Sequence, residues 1–309
     1  MIWILLSLLS AVLLGLYDAA KKSAVHNNAV APVLFFNVLT AALLWAPWVV
    51  LSIGYRGFSN ADSWAWFGNS VLYVPPLELR QHLLVMVKAL LVGISWTLAF
   101  VALRRLPVSI AAPIRATSPV WTITIAVLWM GERLTLMQWL GVSIILLAFF
   151  AFSQLGKSEG IHFHRDRGVV LMMIATLLGA ISAAYDKYLL QTIQILPATL
   201  QAWFSIYLVL VMLPWCSWWF LRERHRRPFS WRWSIPLIAI FLLAADLTYF
   251  TAISFPGAKI AIISPVRRTS VIVSYLFGIL WFGEPNWRRK GVCVAVLLVG
   301  VFILGWAKI

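Results

Sequence analysis

Ten apolar runs, each close to the length of a membrane-spanning helix, constrain this chain more than any other feature of its sequence. A helix needs about 20 mainly apolar residues to cross a bilayer. Since a backbone in lipid must satisfy its own hydrogen bonds, each run predicts a helix, and the fold class is an all-α integral membrane protein. The predicted spans are 2–22, 29–53, 83–103, 107–130, 135–154, 169–191, 196–221, 234–254, 258–281 and 289–307.

The composition excludes several classes of soluble protein. Apolar residues make up 62% of the chain and charged residues 11%, whereas a soluble domain has about 25% charged residues. The net charge of +15 would suit nucleic acid, but membrane proteins collect Lys and Arg in cytoplasmic loops. We therefore expect contact with membrane lipid and no nucleic acid. The one long polar segment, 54–82, predicts a short surface helix around Trp64–Phe67.

The basic residues are distributed unevenly between the two sets of connections. Connections after odd-numbered spans hold 15 Lys and Arg residues, and connections after even-numbered spans hold 5 together with the tails. Because the excess normally faces the cytoplasm, the sequence predicts that the odd connections are cytoplasmic and that both termini are outside. The predicted location is the cell (plasma or inner) membrane, crossed many times.

The chain contains an internal repeat. Residues 113–133 and 265–285 align at a constant offset of 152 without a gap, and 8 of the 21 positions are identical. A Tyr-Asp pair also recurs in the first and sixth spans, as Tyr17-Asp18 and Tyr185-Asp186. An odd number of spans in each copy places the copies in opposite orientations, which is how many secondary transporters are built.

The repeat divides the chain into two halves of five spans each. The first half is 1–154, a basic linker covers 155–168, and the second half is 169–309. Each half contains a Trp-x-Gly-Glu stretch, Trp129–Glu132 and Trp281–Glu284, before its last helix. In these features the chain resembles the drug/metabolite transporter superfamily, in its EamA-type branch. The resemblance implies a ten-helix carrier that works by alternating access, often as an exporter of metabolites.

Arginines near the middle of the fourth and ninth spans are the main candidates for a binding site. Arg115 and Arg267 each lie about 12–14 Å from a span end at 1.5 Å per residue, and such charges are costly in a bilayer. Each follows a proline by two residues and precedes a Thr-Ser pair, so an interrupted helix lining a cavity is expected. Guanidinium groups suit carboxylate or phosphate. The predicted substrate-binding residues are Arg115, Thr117, Ser118, Arg267, Arg268, Thr269, Ser270, Tyr17 and Tyr185.

Internal ion pairs are an alternative explanation of these charges. Asp18 and Asp186 occupy equivalent places in spans 1 and 6, so the symmetric pairs Asp18–Arg115 and Asp186–Arg267 would account for all four residues without a ligand. The two interpretations are compatible if the bridges open when substrate arrives, which would make them gates. Asp246 is either a cation or proton site or the partner of Lys88, its counterpart in span 3. Asp18, Asp186, Asp246 and Lys88 are thus the candidates for gating or coupling.

Three functions are consistent with this pattern. The leading hypothesis is secondary active transport, by export or exchange, of a small anionic or zwitterionic metabolite, coupled to protons or to a counter-substrate. The second is a flippase for an anionic lipid or a lipid-linked sugar. A membrane-embedded enzyme or scaffold is less favoured, because alternating access gives an inverted repeat a use and catalysis does not. The sequence has no nucleotide, zinc or catalytic-triad motif, so no enzyme activity, metal or cofactor is predicted. Glu132 and Glu284 are interpreted as residues that cap helix ends or hydrogen-bond loops.

Overall fold

The described part of the chain is helical. The computed structural model describes residues 2–55, 65–68, 70–103, 114–115, 117–154, 167–270, 272–273, 276 and 287–306, with no β-strand among them. A π-helical turn, Tyr188–Thr192, extends the seventh helix. The helices are α1 (Ile2–Val25), α2 (Val30–Tyr55), α3 (Ala65–Gly68), α4 (Leu79–Leu103), α5 (Ser118–Leu128), α6 (Leu136–Gln154), α7 (Arg167–Lys187), α8 (Pro197–Arg222), α9 (Ser234–Ser254), α10 (Ile260–Arg268) and α11 (Trp287–Trp306).

The helices follow the predicted spans closely. Among the described residues, 6 helices are long and apolar enough to cross a membrane, namely α1, α2, α4, α7 with its π-helical turn, α8 and α9. Shorter apolar helices lie at Ser118–Leu128, Leu136–Ala148 and Gly291–Leu304. The short helix predicted in the polar segment is confirmed as α3. The chain is therefore a multi-pass, all-helical membrane protein.

Spans 4 and 9 are both interrupted at their Thr-Ser pairs. Helix α5 begins at Ser118 after a turn at Thr117, and α10 ends at Arg268 before a turn at Thr269 and Ser270. In both turns the threonine hydroxyl donates a hydrogen bond to the carbonyl three residues earlier, at 2.7 Å for Thr117 and for Thr269. Such bonds compete with the helical hydrogen-bond ladder. The sequence placed the interruptions at the prolines, but in span 9 the helix runs through Pro265 and the turn comes after it, at Thr269 and Ser270. Pro113 of span 4 lies outside the described residues.

Most contacts between helices join the first half of the chain to the second. Helix α1 packs along α9 and α4 packs along α7. Helix α10 contacts α1, and α5 contacts α7. Three further pairs are formed by corresponding helices of the two halves, namely α2 with α8, α5 with α10 and α6 with α11. The candidate residues of spans 1, 4 and 9 are thereby brought to one place.

The crossing of α6 and α11 depends on two facing glycines. A Cβ atom on Gly141 would lie 2.7 Å from Leu304 Cγ and 3.0 Å from the carbonyl oxygen of Gly300. Small residues allow membrane helices to approach this closely. We expect Gly141→Ala to lower the free energy of unfolding by about 1–3 kcal/mol, because the helices must separate. The measurement is thermal stability in detergent. Gly179→Ala on α7 is the control, since its nearest neighbour is Ser95 Oγ at 3.7 Å, and equal losses in both variants would contradict the prediction.

Candidate functional site

A buried ion pair joins the two halves of the protein. The ammonium of Lys88 on α4 bonds the carboxylate of Asp186 on α7, and the side chains are 3% and 6% exposed. The Lys88 nitrogen also lies 4.6 Å from the centre of the Phe204 ring and 5.0 Å from that of Phe250. A cation enclosed by a carboxylate and two aromatic faces is well compensated for its burial.

A second ion pair lies beside it within the second half. Arg267 at the end of α10 bonds the carboxylate of Asp246 on α9. Its guanidinium carbon lies 4.1 Å from the centre of the Tyr249 ring, and its Nε donates to Ser10 Oγ at 3.2 Å. Arg267 is therefore occupied by a carboxylate, an aromatic face and a hydroxyl.

These partners differ from the ones that the sequence suggested. The expected pairs Asp186–Arg267 and Lys88–Asp246 are wrong, because Asp186 bridges Lys88 and Asp246 bridges Arg267. The depth of a charge along its own span does not tell which helix lies beside it, and α7 packs along α4. Asp18 and Arg115 interact electrostatically, but they form no ion pair within the part of the chain that the structure describes.

Glu132 links the Trp-x-Gly-Glu stretch of the first half to the ninth span. Its two carboxylate oxygens accept the backbone N–H groups of Ile260 at 2.8 Å and Ala261 at 3.0 Å, which are the first residues of α10. One oxygen also accepts Lys187 Nζ at 2.7 Å. The helix-cap interpretation of Glu132 is thus confirmed, across the two halves, and a carboxylate is favoured at this end of a helix. Glu284 lies outside the described residues.

We expect Glu132→Gln to lower the free energy of unfolding by about 1–3 kcal/mol, since its charge-assisted bonds to α10 and to Lys187 are weakened. Lys187→Met should have a smaller effect, because α10 keeps its carboxylate cap. Thermal stability of both single variants and of the double variant forms a double-mutant cycle. Additive losses would show that Glu132 and Lys187 do not interact and would overturn the prediction.

The remaining charged candidates form an exposed cluster between three helices. We use this name for Asp18 on α1, Arg115, Thr117 before α5, and Arg268 on α10, all four of which are exposed. Arg268 donates to Ser118 Oγ, at the first residue of α5, at 3.3 Å. The Asp18 carboxylate interacts electrostatically with Arg115, Arg268 and Arg267 as well as with Lys21 on its own helix. Because α10 contacts both α1 and α5, the cluster lies where these three helices meet.

Other predicted site residues lie outside the exposed cluster. Tyr17 is buried in an apolar cluster with Ala24, Val33, Ile235 and Ile238. Tyr185 donates its hydroxyl to the Leu84 carbonyl at 3.2 Å and stacks on Tyr188. Thr269 and Ser270 are buried at the break after α10. The positions of these side chains depend on helix packing, which the sequence pattern does not reveal.

Four residues at the two ion pairs were missed by the sequence analysis. They are the aromatic rings that enclose the cations and the hydroxyl that accepts from Arg267, namely Phe204, Phe250, Tyr249 and Ser10. Aromatic residues are common in membrane spans, so no local signal distinguished these three. Ser10 could have been noticed as a small polar residue about two helical turns before Asp18 on the same span.

Two further observations concern metal-binding residues and a second groove. No group of three or more His, Cys, Asp or Glu side chains that could hold a metal ion occurs among the residues that the structure describes. A separate groove between α5 and α6 is lined mainly by apolar side chains, including Val120, Val127 and Trp139. The exposed cluster itself consists of one carboxylate, two guanidinium groups and one hydroxyl.

Comparisons with known proteins agree with this architecture. The chain is 24% identical to a protein described as an uncharacterized transporter from Archaeoglobus fulgidus, over 86% of this chain and 95% of that protein. A solved structure, described only as a crystal structure of protein, superposes with a TM-score of 0.71 at 13% identity and covers 99% of each chain. That likeness concerns the fold alone.

The match to a protein family covers nearly the whole sequence. The model of the EamA-like transporter family matches residues 1–154 and again residues 166–306. With its apolar helices and its charged residues between the halves, this chain belongs to the EamA-like transporter family.

Proposed function

We propose that this membrane transporter carries a small anionic or zwitterionic metabolite by secondary active transport with alternating access. The observation that carries the proposal is the exposed cluster, in which two guanidinium groups from different halves are exposed in electrostatic range of one carboxylate. Charged side chains at membrane depth are expensive unless they line an aqueous path or bind a ligand. The cluster lies between α1, α5 and α10, where a substrate would contact both halves at once.

Several features support two inverted five-helix halves. The family model matches the two segments separately. The helix contacts are also symmetric between the halves. Helix α1 of span 1 contacts α9 of span 8, and their counterparts in spans 6 and 3, α7 and α4, contact each other. In the same way, the contact of α10 with α1 corresponds to that of α5 with α7. The hydroxyl bonds of Thr117 and Thr269 are related in the same way. An interface between such repeats is where substrate sites of secondary carriers occur.

The two faces of the protein differ in a way that suits alternating access. On the face of the even-numbered connections, Glu132 holds α10, and Gln191 donates to the carbonyls of Ile253 at 2.7 Å and Phe255 at 3.2 Å. Asp18 and Arg115 are exposed, and each lies in the part of its span nearer the odd-numbered connections, on the face that the basic residues predict to be cytoplasmic. We propose that this conformation receives substrate from the cytoplasmic side of the plasma membrane.

The two ion pairs are proposed to act as gates of the transport path and to couple transport to a second ion or substrate. Two contacts join the halves, namely the Lys88–Asp186 ion pair and the hydrogen bond from Arg267 to Ser10. A change of conformation must therefore break these contacts or move both partners together. Asp18 has several cations in electrostatic range and is the carboxylate that can exchange partners when substrate binds. Whether transport is coupled to protons or to a counter-substrate depends on which of these carboxylates changes its partner during transport.

The test starts with purified protein. Phosphates, carboxylates and amino acids are screened for thermal stabilisation, since a ligand raises stability by RT ln(1 + [L]/Kd). A stabilising compound is then followed by radiolabelled counterflow in proteoliposomes, with and without a proton gradient. We expect saturable exchange that Arg115→Gln removes. Scrambling of a fluorescent anionic lipid without exchange of any soluble compound would favour the flippase and overturn the proposal.

A further inference from the structure

We infer that the connection between α8 and α9 is a binding surface for the headgroups of anionic phospholipids in the surrounding membrane. We call residues 222–233 the basic connection. It follows the seventh span and so belongs to the odd-numbered connections, which the basic residues predict to be cytoplasmic. This surface is separate from the exposed cluster, and lipid binding to it does not depend on the transport that we propose.

The charge of the basic connection is concentrated and strongly positive. Its twelve residues contain five arginines and one glutamate, Glu223. The arginines are Arg222, Arg224, Arg226, Arg227 and Arg232. The first four are exposed, and the ion pairs found among the described residues do not include them. Clusters of about four to eight Lys and Arg beside a membrane span are typical of binding to anionic lipid headgroups.

Exposed aromatic and apolar side chains flank these arginines. Trp231 and Trp233 are 50% and 80% exposed, and Leu221 near the end of α8 is 78% exposed. The guanidinium carbon of Arg224 lies 4.9 Å from the centre of the Phe220 ring. Tryptophan rings favour the headgroup region of a bilayer, and an arginine can lay its apolar stem along a ring while its charge stays at the surface. The combination fits a lipid surface.

The position of the basic connection favours lipid over a soluble anionic partner. Residues 223–233 join two helices that are long and apolar enough to cross a membrane, α8 and α9. The segment is therefore held where these two spans end, beside the headgroups of one leaflet. Several headgroups can contact the row of arginines at once, and the attraction falls off within a Debye length of the surface.

The basic connection is also fixed to the opposite half of the protein. Asn28, in the turn between α1 and α2, donates from Nδ2 to the carbonyl of Ser230 at 2.8 Å, and its Oδ1 accepts the N–H of Ser230 at 3.0 Å. The ring of Phe229 stacks on that of Phe36 with centres 5.2 Å apart. A segment that is already ordered loses little conformational entropy when it binds. Lipid bound here is expected to stabilise the folded protein.

The experiment measures stabilisation by lipid. The purified protein in detergent is mixed with phosphatidylglycerol or with phosphatidylcholine of the same acyl chains, and thermal unfolding is followed, since a ligand of the folded state raises its stability. We expect phosphatidylglycerol to raise the melting temperature and phosphatidylcholine to leave it unchanged. The variant Arg226→Gln/Arg227→Gln should need about tenfold more phosphatidylglycerol for the same rise. The charge-matched control Arg80→Gln/Arg167→Gln, two exposed positions on other helices, should respond like the original protein.

Further arms separate a lipid surface from other anionic partners. Trp233→Ala should weaken the response to phosphatidylglycerol several-fold, because its ring no longer enters the headgroup region. Equal stabilisation by both lipids, or equal weakening in the two double variants, would overturn the inference. The same holds if soluble glycerophosphoglycerol stabilises as well as the lipid does, or if a single-stranded oligonucleotide binds and phosphatidylglycerol does not displace it. Counterflow in proteoliposomes of phosphatidylcholine alone tests transport separately, so one proposal can fail without the other.

Discussion

Replacing Arg115 or Arg268 with glutamine is expected to weaken ligand binding by at least about tenfold, or about 1.4 kcal/mol, while the protein stays folded. Both side chains are exposed, and neither has a carboxylate within ion-pair distance among the described residues. Their removal leaves no buried charge unpaired. The measurements are thermal stability in detergent and binding of the compound found in the stabilisation screen.

Arg267→Gln is the matched control, because Arg267 adjoins Arg268 yet bonds Asp246. We expect this variant to lose about 1–3 kcal/mol of stability, less than a fully buried pair would, since the Arg267 side chain is 20% exposed and that of Asp246 17%. Should Arg267→Gln abolish binding at unchanged stability, while Arg268→Gln binds normally, the assignment of roles within span 9 would be reversed.

Lys88→Met should destabilise the protein by about 3–5 kcal/mol. The substitution keeps an unbranched apolar side chain, one atom shorter than lysine, and leaves the carboxylate of Asp186, which is 6% exposed, without its cation. Removing one member of a buried ion pair costs this much because the other charge remains desolvated. Thermal unfolding in detergent and the yield of folded protein measure the loss.

The double variant Lys88→Met/Asp186→Leu separates the cost of an unpaired charge from the cost of lost packing. We expect it to be more stable than Lys88→Met alone, since no charge then remains buried at this position. Arg80→Met, on the exposed start of the same helix, should stay within about 0.5 kcal/mol of the original protein. A double variant less stable than either single one would mean that the ion pair is not the origin of the effect.

Local chemistry explains how much of the fold could be predicted. The span positions follow from hydropathy, because every backbone group in lipid must be satisfied within its own helix. Breaks in spans 4 and 9 were predicted from their prolines, but the break in span 9 lies beyond Pro265, at Thr269 and Ser270. The Thr269 hydroxyl bonds a backbone carbonyl there and so competes with the helical hydrogen bonds. Glu132 was predicted to cap a helix, but the identity of that helix was not predictable.

The sequence by itself determined the membrane helices, the repeat and the family, since each of these depends on residues close together in the chain or on a regular offset. Only the tertiary structure decided the partners of the charges. Lys88 and Asp186 are 98 residues apart, Glu132 and Ile260 are 128, and Ser118 and Arg268 are 150. An isolated charge in a span reveals the cost of its burial but not its partner, because the partner depends on which helices pack together. For that reason Arg267 and Arg268, adjacent in sequence, have different environments, and only Arg268 joins Arg115 in the exposed cluster.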